Sequence, residues 1–215
     1  MTTISIMGVA LGVAALIIVL SVMGGFEQEL KEKMLRGQPH VEVLGQNAVA
    51  GFPMREHSLQ TFREHFPGVA GVEPFTQADV VMKQGKHLSA VVLFGIDPNL
   101  KADIWSFERS MATGRLEAIS DLHAPIIAPE GVDSRLPGVI LGEALAGQLG
   151  AEIGDEITIL SPQAESSSTV ISGGTVSRQY VMVGTFQTGL FNYDSKLAVV
   201  SLAEGRKFMP EYEPS

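Results

Sequence analysis

Residues 138–162 read GVILGEALAGQLGAEIGDEITILSP, and three kinds of element follow one another within them. VILG (139–142) predicts a short buried strand. EALAGQLG (143–150) predicts an amphipathic helix closed by Gly150, because glycine tolerates the left-handed conformation that ends helices. GDEITILSP (154–162) predicts a turn and a second strand. Strand, short helix and strand in succession point to a mixed α+β domain.

Working outward, DVVMK (79–83) and LSAVVLFGI (88–96) predict two strands joined by the turn QGKH (84–87). VSRQYVMVGTF (176–186) and KLAVVSL (196–202) add two more, and AEGRKFM (203–209) begins a helix. HVEVLG (40–45) alternates as a strand, and HSLQTFREHF (57–66) reads as a short amphipathic helix. The stretch 98–137, with the sole tryptophan Trp105, is less regular. No period of roughly 20–50 residues recurs, which excludes a repeat array. Between the strands at 156–161 and 176–186 lies QAESSSTVISGGT (163–175), polar apart from Val170 and Ile171. It reads either as an ordinary long hairpin loop or as a protruding hairpin that offers those two side chains to a partner.

The N-terminal stretch ISIMGVALGVAALIIVLSVMGGFEQEL (4–30) carries no charge before Glu27. About 20 apolar residues span the hydrocarbon core of a bilayer, so a membrane helix over 1–26 is expected. A signal peptide would have a basic start, a shorter apolar core and a small-residue cleavage site, none of which is evident. A buried soluble helix is the third reading. Gly8 and Gly12 form G-x-x-x-G, spacing that lets helices approach closely within a bilayer. FEQELKEKMLRG continues as an amphipathic helix with an i,i+4 pair between Glu27 and Lys31, so residues 27–37 are expected to form a helical stalk. Lys31, Lys33 and Arg36 would, by the positive-inside rule, put the following domain in the cytoplasm.

The 215 residues are 45% hydrophobic and 18% charged, with a formal charge of −9 and no cysteine. An acidic chain without a Lys/Arg cluster argues against nucleic-acid binding. Absence of cysteine excludes disulfides, thiolate metal sites and thiol catalysis. His40, His57, His65, His87 and His123 are scattered without metal-ligand spacing, and no metal site is expected. There is no G-x-S-x-G, and the serines at 166–168 lie in a loop where no base is held against them. No P-loop is present. The residues therefore point away from an enzyme, and no cofactor is expected.

Three patches carry a resemblance: GVALGVAALIIVLSVMGGFEQEL (8–30), VILGEALAGQLGAEIGDEITILSP (139–162) and VGTFQTGLFNYDSKLAVVSL (183–202). Together, and in this order, they resemble the lipoprotein-releasing (LolC/LolE-type) ABC transporter permeases, whose periplasmic core domain is shared with MacB-type permeases. The resemblance implies a transmembrane helix (1–26), a stalk (27–37), a mixed α+β MacB-like periplasmic core domain (38–209) and a tail (210–215). It implies a bacterial inner-membrane permease with its main domain in the periplasm, which overrides the charge count above. The implied partners are a cytoplasmic ABC ATPase subunit, a second permease subunit, lipoproteins as substrate, and a periplasmic lipoprotein carrier chaperone. In the LolC-like subunit a hairpin binds the carrier beside a neighbouring pad. The corresponding place here is 163–175, so Val170, Ile171, Ser172 and Gly173 are expected at that contact, with Arg178 where a pad arginine is expected. The hairpin is rich in serine rather than proline, which departs from the pattern. Family members are about twice as long, with three more membrane helices after the periplasmic domain, so a fragment of a longer permease is expected. The alternative is a MacB- or FtsX-like permease domain serving efflux or cell-wall hydrolase regulation.

Overall fold

The strands are laid out by side-chain alternation. In β1 (Phe75–Gln84) Val80 and Met82 are buried between exposed or half-buried neighbours, and β2 (His87–Ile96) repeats the pattern with Val91 and Leu93. The two form an antiparallel hairpin in register from Phe75↔Ile96 to Gln84↔His87, turning through Gly85 and Lys86. The computed structural model describes residues 2–36, 41–43, 65–66, 68–69, 71–100, 107–123, 135–161 and 176–209. The chain divides into two units, Met1–His40 and Val41–Ser215.

In the first unit one unbroken helix, α1, runs Thr2–Arg36. Its segment Thr2–Glu29 is long and apolar enough to cross a membrane, and its side chains are exposed. Residues 2–36 are thus one continuous helix, which Gly24 and Gly25 do not interrupt.

The second unit is built on six strands that close on themselves. After β1 and β2 come the short β3 (Met111–Thr113) and β4 (Leu122–His123), then β5 (Leu136–Gly142), β6 (Glu156–Ser161), β7 (Val176–Phe186) and β8 (Leu197–Ser201). β6 pairs with β1, β1 with β2, β2 with β8, β8 with β5, β5 with β7, and β7 with β6 again. The β2–β8 and β5–β7 pairings are parallel, and β3 and β4 add to β7 and β5 outside the ring. Each of the six strands sends two residues, i and i+2, into the interior: Val80 and Met82, Val91 and Leu93, Val139 and Leu141, Ile157 and Ile159, Tyr180 and Met182, Ala198 and Val200. A ring this small is filled by its own side chains.

Helix α2 (Glu143–Leu149) follows β5 directly and covers one end of the ring, where Leu145, Ala146 and Leu149 join the interior. It stops at Gly150, whose φ is 65°, with the Ala151 N–H donating to the Ala146 carbonyl at 3.0 Å; a left-handed residue at this point suits glycine. β8 runs opposite to β5, so the helical turn α4 (Leu202–Gly205) and the 3-10 turn Arg206–Phe208 close the other end. Phe208 is buried there against Tyr180, ring centroids 6.2 Å apart. A second apolar layer lies outside the ring: Phe107, Leu116 and Ile119 pack on Ile96, Ile140, Phe186 and Val199. β5 and β8 are therefore buried on both faces, which is why they read as unbroken apolar runs.

One expectation comes out differently, one lies outside the described residues, and one is refined. Val41, Glu42 and Val43 are exposed and belong to no strand; alternation creates a strand only where a partner completes its hydrogen bonds. The expected helix at 57–66 lies outside the described residues apart from His65 and Phe66, as does Trp105. The segment from 203 forms a single helical turn and then tightens into 3-10 geometry, because Phe208 must turn into the ring.

α4 docks through a close approach. A Cβ at Gly205 would stand 2.8 Å from the Gly95 Cα and 2.1 Å from the Thr76 Oγ1. Thr76 Oγ1 is buried there without a hydrogen-bond partner. Gly205→Ala is expected to destabilise the domain by about 1–3 kcal/mol through overpacking. Thr76→Val keeps the shape and removes the unsatisfied hydroxyl, so it should stabilise by about 1 kcal/mol. Urea unfolding of both variants checks the pair, and equal effects of the same sign would contradict this packing.

Candidate functional site

β6 and β7 form an antiparallel ladder from Glu156↔Val181 to Ser161↔Val176. Residues 162–175 connect them, so this loop leaves the ring at the end closed by α4. Val170, Ile171, Ser172 and Gly173 lie outside the described residues. Arg178 is in β7, directly opposite Ile159 and exposed. Residues directly opposite one another in a ladder share a face, so Arg178 continues the row of Tyr180 and Met182 to the rim of the ring. The fold thus puts Arg178 at the root of the loop, as the sequence order implied.

A polar cluster missed in the sequence occupies the same place. Tyr180 is fully buried, and its hydroxyl donates to Glu204 Oε2 at 3.0 Å. The other oxygen of that carboxylate, Oε1, takes the Lys207 ammonium. Glu204 is well covered, its side chain 14% exposed, whereas that of Lys207 is 42% exposed. Burial pushes the Tyr180 hydroxyl well above the ordinary tyrosine range; the Glu204 carboxylate adds to this by charge and hydrogen bond, and Arg178 works against it. AEGRKFM reads only as the start of a helix, and no spacing rule links it to a tyrosine on a distant strand. Gln179, on the outer face, donates to Glu156 Oε1 across the same ladder.

Gly8 and Gly12 sit on α1 with nothing within 4 Å of a Cβ built at either, so that side of the helix is open to close approach. Among the described histidines, His123 Nε2 is 2.7 Å from the Ala118 carbonyl oxygen. No three His, Cys, Asp or Glu side chains among the described residues converge on a possible metal position.

The stretch GLFNYDS (189–195) turns out to be architectural. Asp194 is buried, and its Oδ1 accepts from the Thr188 N–H and the Thr188 hydroxyl, both at 2.8 Å, while Oδ2 accepts from the Gly189 N–H at 3.2 Å. One carboxylate thereby ties the loop after β7 to the helical turn α3 (Phe191–Asp194) that leads into β8.

Known proteins are similar to this chain over nearly its whole length. The profile of the MacB-like periplasmic core domain family matches residues 2–213. The chain belongs to that family. It is 30% identical over 210 residues to the lipoprotein-releasing system transmembrane protein LolC of Neisseria meningitidis serogroup B, covering 95% of this chain and 45% of that protein. It is 29% identical over 212 residues to LolC of Xylella fastidiosa strain Temecula1, again covering 95% of this chain and 45% of the relative. Similarity to LolE of Haemophilus influenzae is 28% over 218 residues, covering 98% of this chain and 46% of the relative. The chain thus spans about half the length of the curated relatives it matches. A solved structure, the extracellular domain of the ABC-type transporter YknZ from Gram-positive bacteria, is similar with a TM-score of 0.41 at 14% identity, covering 79% of this chain and 72% of that one.

Two outcomes test the cluster and the loop. An unfolded tyrosine ionises near pH 10. The folded chain keeps the Tyr180 proton there, so it binds more protons than the unfolded chain and loses stability as pH rises through that value. Tyr180→Phe should flatten the fall in thermal midpoint between about pH 9.5 and 11; an unchanged alkaline slope would contradict the burial of this hydroxyl. Asp194→Ala should cost about 1–3 kcal/mol in urea unfolding, since it strands buried donors.

Proposed function

We propose that this chain comprises the first membrane helix and the periplasmic domain of a permease subunit in a lipoprotein-releasing ABC transporter of the bacterial inner membrane. The observation that carries the reading is the unbroken similarity to LolC and LolE proteins across apolar helix and ring domain alike. Those relatives favour it over the efflux or hydrolase-regulating alternative.

In this reading the chain performs no bond-making chemistry. A separate cytoplasmic ATPase subunit binds and hydrolyses ATP, and its movement shifts the membrane helices. α1 packs through Gly8 and Gly12 on another membrane helix, within this subunit or in a second permease subunit. The stalk (27–37) carries the displacement to the periplasmic domain (38–209). A ring filled to interior density deforms little, so the domain moves as a body and not by internal rearrangement. Lipoproteins are the cargo, and a periplasmic carrier chaperone is the acceptor.

The carrier docks on the hairpin 163–175. Val170 and Ile171 supply its large apolar side chains, Ser172 and Gly173 follow them, and Arg178 flanks the root. The β6–β7 ladder holds both ends of this segment, and segments carried on rigid strands are frequent binding sites. The Val170→Asp/Ile171→Asp double variant of the full-length permease is expected to lose at least about tenfold in affinity for the carrier chaperone, because two buried charges replace apolar contacts. Binding measured by biolayer interferometry, with the thermal midpoint as folding control, checks this; wild-type affinity would remove the hairpin assignment.

A further inference from the structure

The two ends of the ring are closed unequally. At one end α2 sends Leu145, Ala146 and Leu149 into the interior. At the other, residues 202–208 bury only Gly205 and the ring of Phe208; Leu202 is half-buried, and Ala203, Arg206 and Lys207 are exposed. The ladders of the ring end at Ser201 and include none of residues 202–208, so lifting this segment breaks no ladder bond.

The seat beneath the segment is imperfect. Thr76 and Gly95 stand opposite each other in the β1–β2 hairpin and continue the inward rows of Val80 and Leu93 by steps of two. Gly205 rests on this pair so closely that neither glycine has room for a Cβ. Beneath it Thr76 Oγ1 is buried with no hydrogen-bond partner among the described residues. A dry, unpaired hydroxyl weakens the state that contains it, and water reaches this one once the segment lifts. The Tyr180–Glu204 hydrogen bond can be exchanged for bonds to water, and the partly exposed Lys207–Glu204 pair contributes little. Phe208 against Tyr180, ring centroids 6.2 Å apart, is the main hold.

We infer that residues 202–208 are a latch that opens as a unit while the six-stranded ring stays folded. Segments with few buried apolar contacts are the ones that open locally. Opening releases Glu204 from Tyr180 on β7, the strand that the loop 162–175 leads into, and uncovers the end of the interior that Tyr180 lines. The chain leaves the ring through this segment, so a pull on residues beyond Met209 acts on the latch before it acts on the ladders. The latch is thereby a two-state element between that exit and the root of the loop.

Hydrogen–deuterium exchange of the full-length permease in detergent micelles, read by mass spectrometry across a series of low urea concentrations, tests this. An opening that leaves the ring folded exposes little surface, so its exchange depends weakly on urea, whereas unfolding of the ring responds steeply. Peptides covering 202–209 are expected to exchange at least about tenfold faster than those covering 143–149, and with the flatter urea dependence. Thr76→Val keeps the shape of the seat and removes the unpaired hydroxyl, so it should slow exchange in 202–209 about fivefold. Phe208→Leu should speed it by at least a similar factor, since the main hold is reduced. Equal rates and equal urea slopes in the two segments would overturn the inference, because the end would then open only with the ring. Exchange in 202–209 as fast as in an unstructured peptide would overturn it too, since no closed state would exist. So would an unchanged rate in the Thr76→Val variant.

Discussion

The pairing of β5 with two neighbours at once is the constraint on which the ring domain depends. On one side it runs parallel to β7 from Gly138↔Val181 to Gly142↔Phe186; on the other it meets β8 antiparallel at Ile140↔Val199 and Leu141↔Ala198. Without β5, the remaining strands would form an open sheet whose two edges are β7 and β8, and the interior rows of Val80, Leu93, Ile159 and Met182 would face an open side. Closure removes those edges and encloses the core at the same time. The seam with β8 is short, so its strength comes from side chains: Val139 and Leu141 point inward, while Ile140 is covered from outside by the layer of Phe107 and Ile119.

A closed ring has two ends that must also be kept dry, and the chain uses the segments immediately following β5 and β8 to cover them. α2 serves one end with three apolar side chains in a helix of two turns. The other end receives only one helical turn, so it relies on the Gly95–Gly205 approach and on Phe208. Here the polar cluster has its structural rationale. A tyrosine at the last interior position carries a hydroxyl that must find an acceptor, and Glu204 provides it from the covering segment. The same bond that satisfies a buried hydroxyl thus fastens the cover to the strand from which the hairpin departs.

Local pattern reveals much of this and global closure little. VILG announces its strand as an unbroken apolar run, ITILS and EALAGQLG by apolar periods of two and near 3.6, and Gly150 ends its helix by a rule that depends on backbone sterics alone. The strand borders fall within a few residues of those read from composition, although β1 extends back to Phe75 through residues that alternate only weakly. HVEVLG shows the converse: at Val41–Val43 a good local pattern has no ladder to join. Which strands pair is decided by side chains far apart in sequence, so neither the parallel β2–β8 pairing nor the return of β5 to β7 was readable. The site divides in the same way. The place of Arg178 at the loop's root follows from its neighbourhood in sequence, whereas the contacts of Glu204 and Lys207 with Tyr180 were not readable because they form only through the closed ring.

That division explains how an acidic chain presents positive charge. A count along the sequence finds no basic run, and a basic run would repel itself and lower stability if it were contiguous. Lys207, on the cover, is paired with the Glu204 carboxylate, and Arg178 stands on the ring strand that also carries Tyr180, so positive charge comes from two separate elements. The geometry persists only while the cover stays seated, because Lys207 belongs to the cover and Arg178 to the ring. Phe208 is buried against Tyr180 in the same segment that supplies Glu204 and Lys207, so the seating of that one aromatic ring and the Tyr180–Glu204–Lys207 contacts depend on each other.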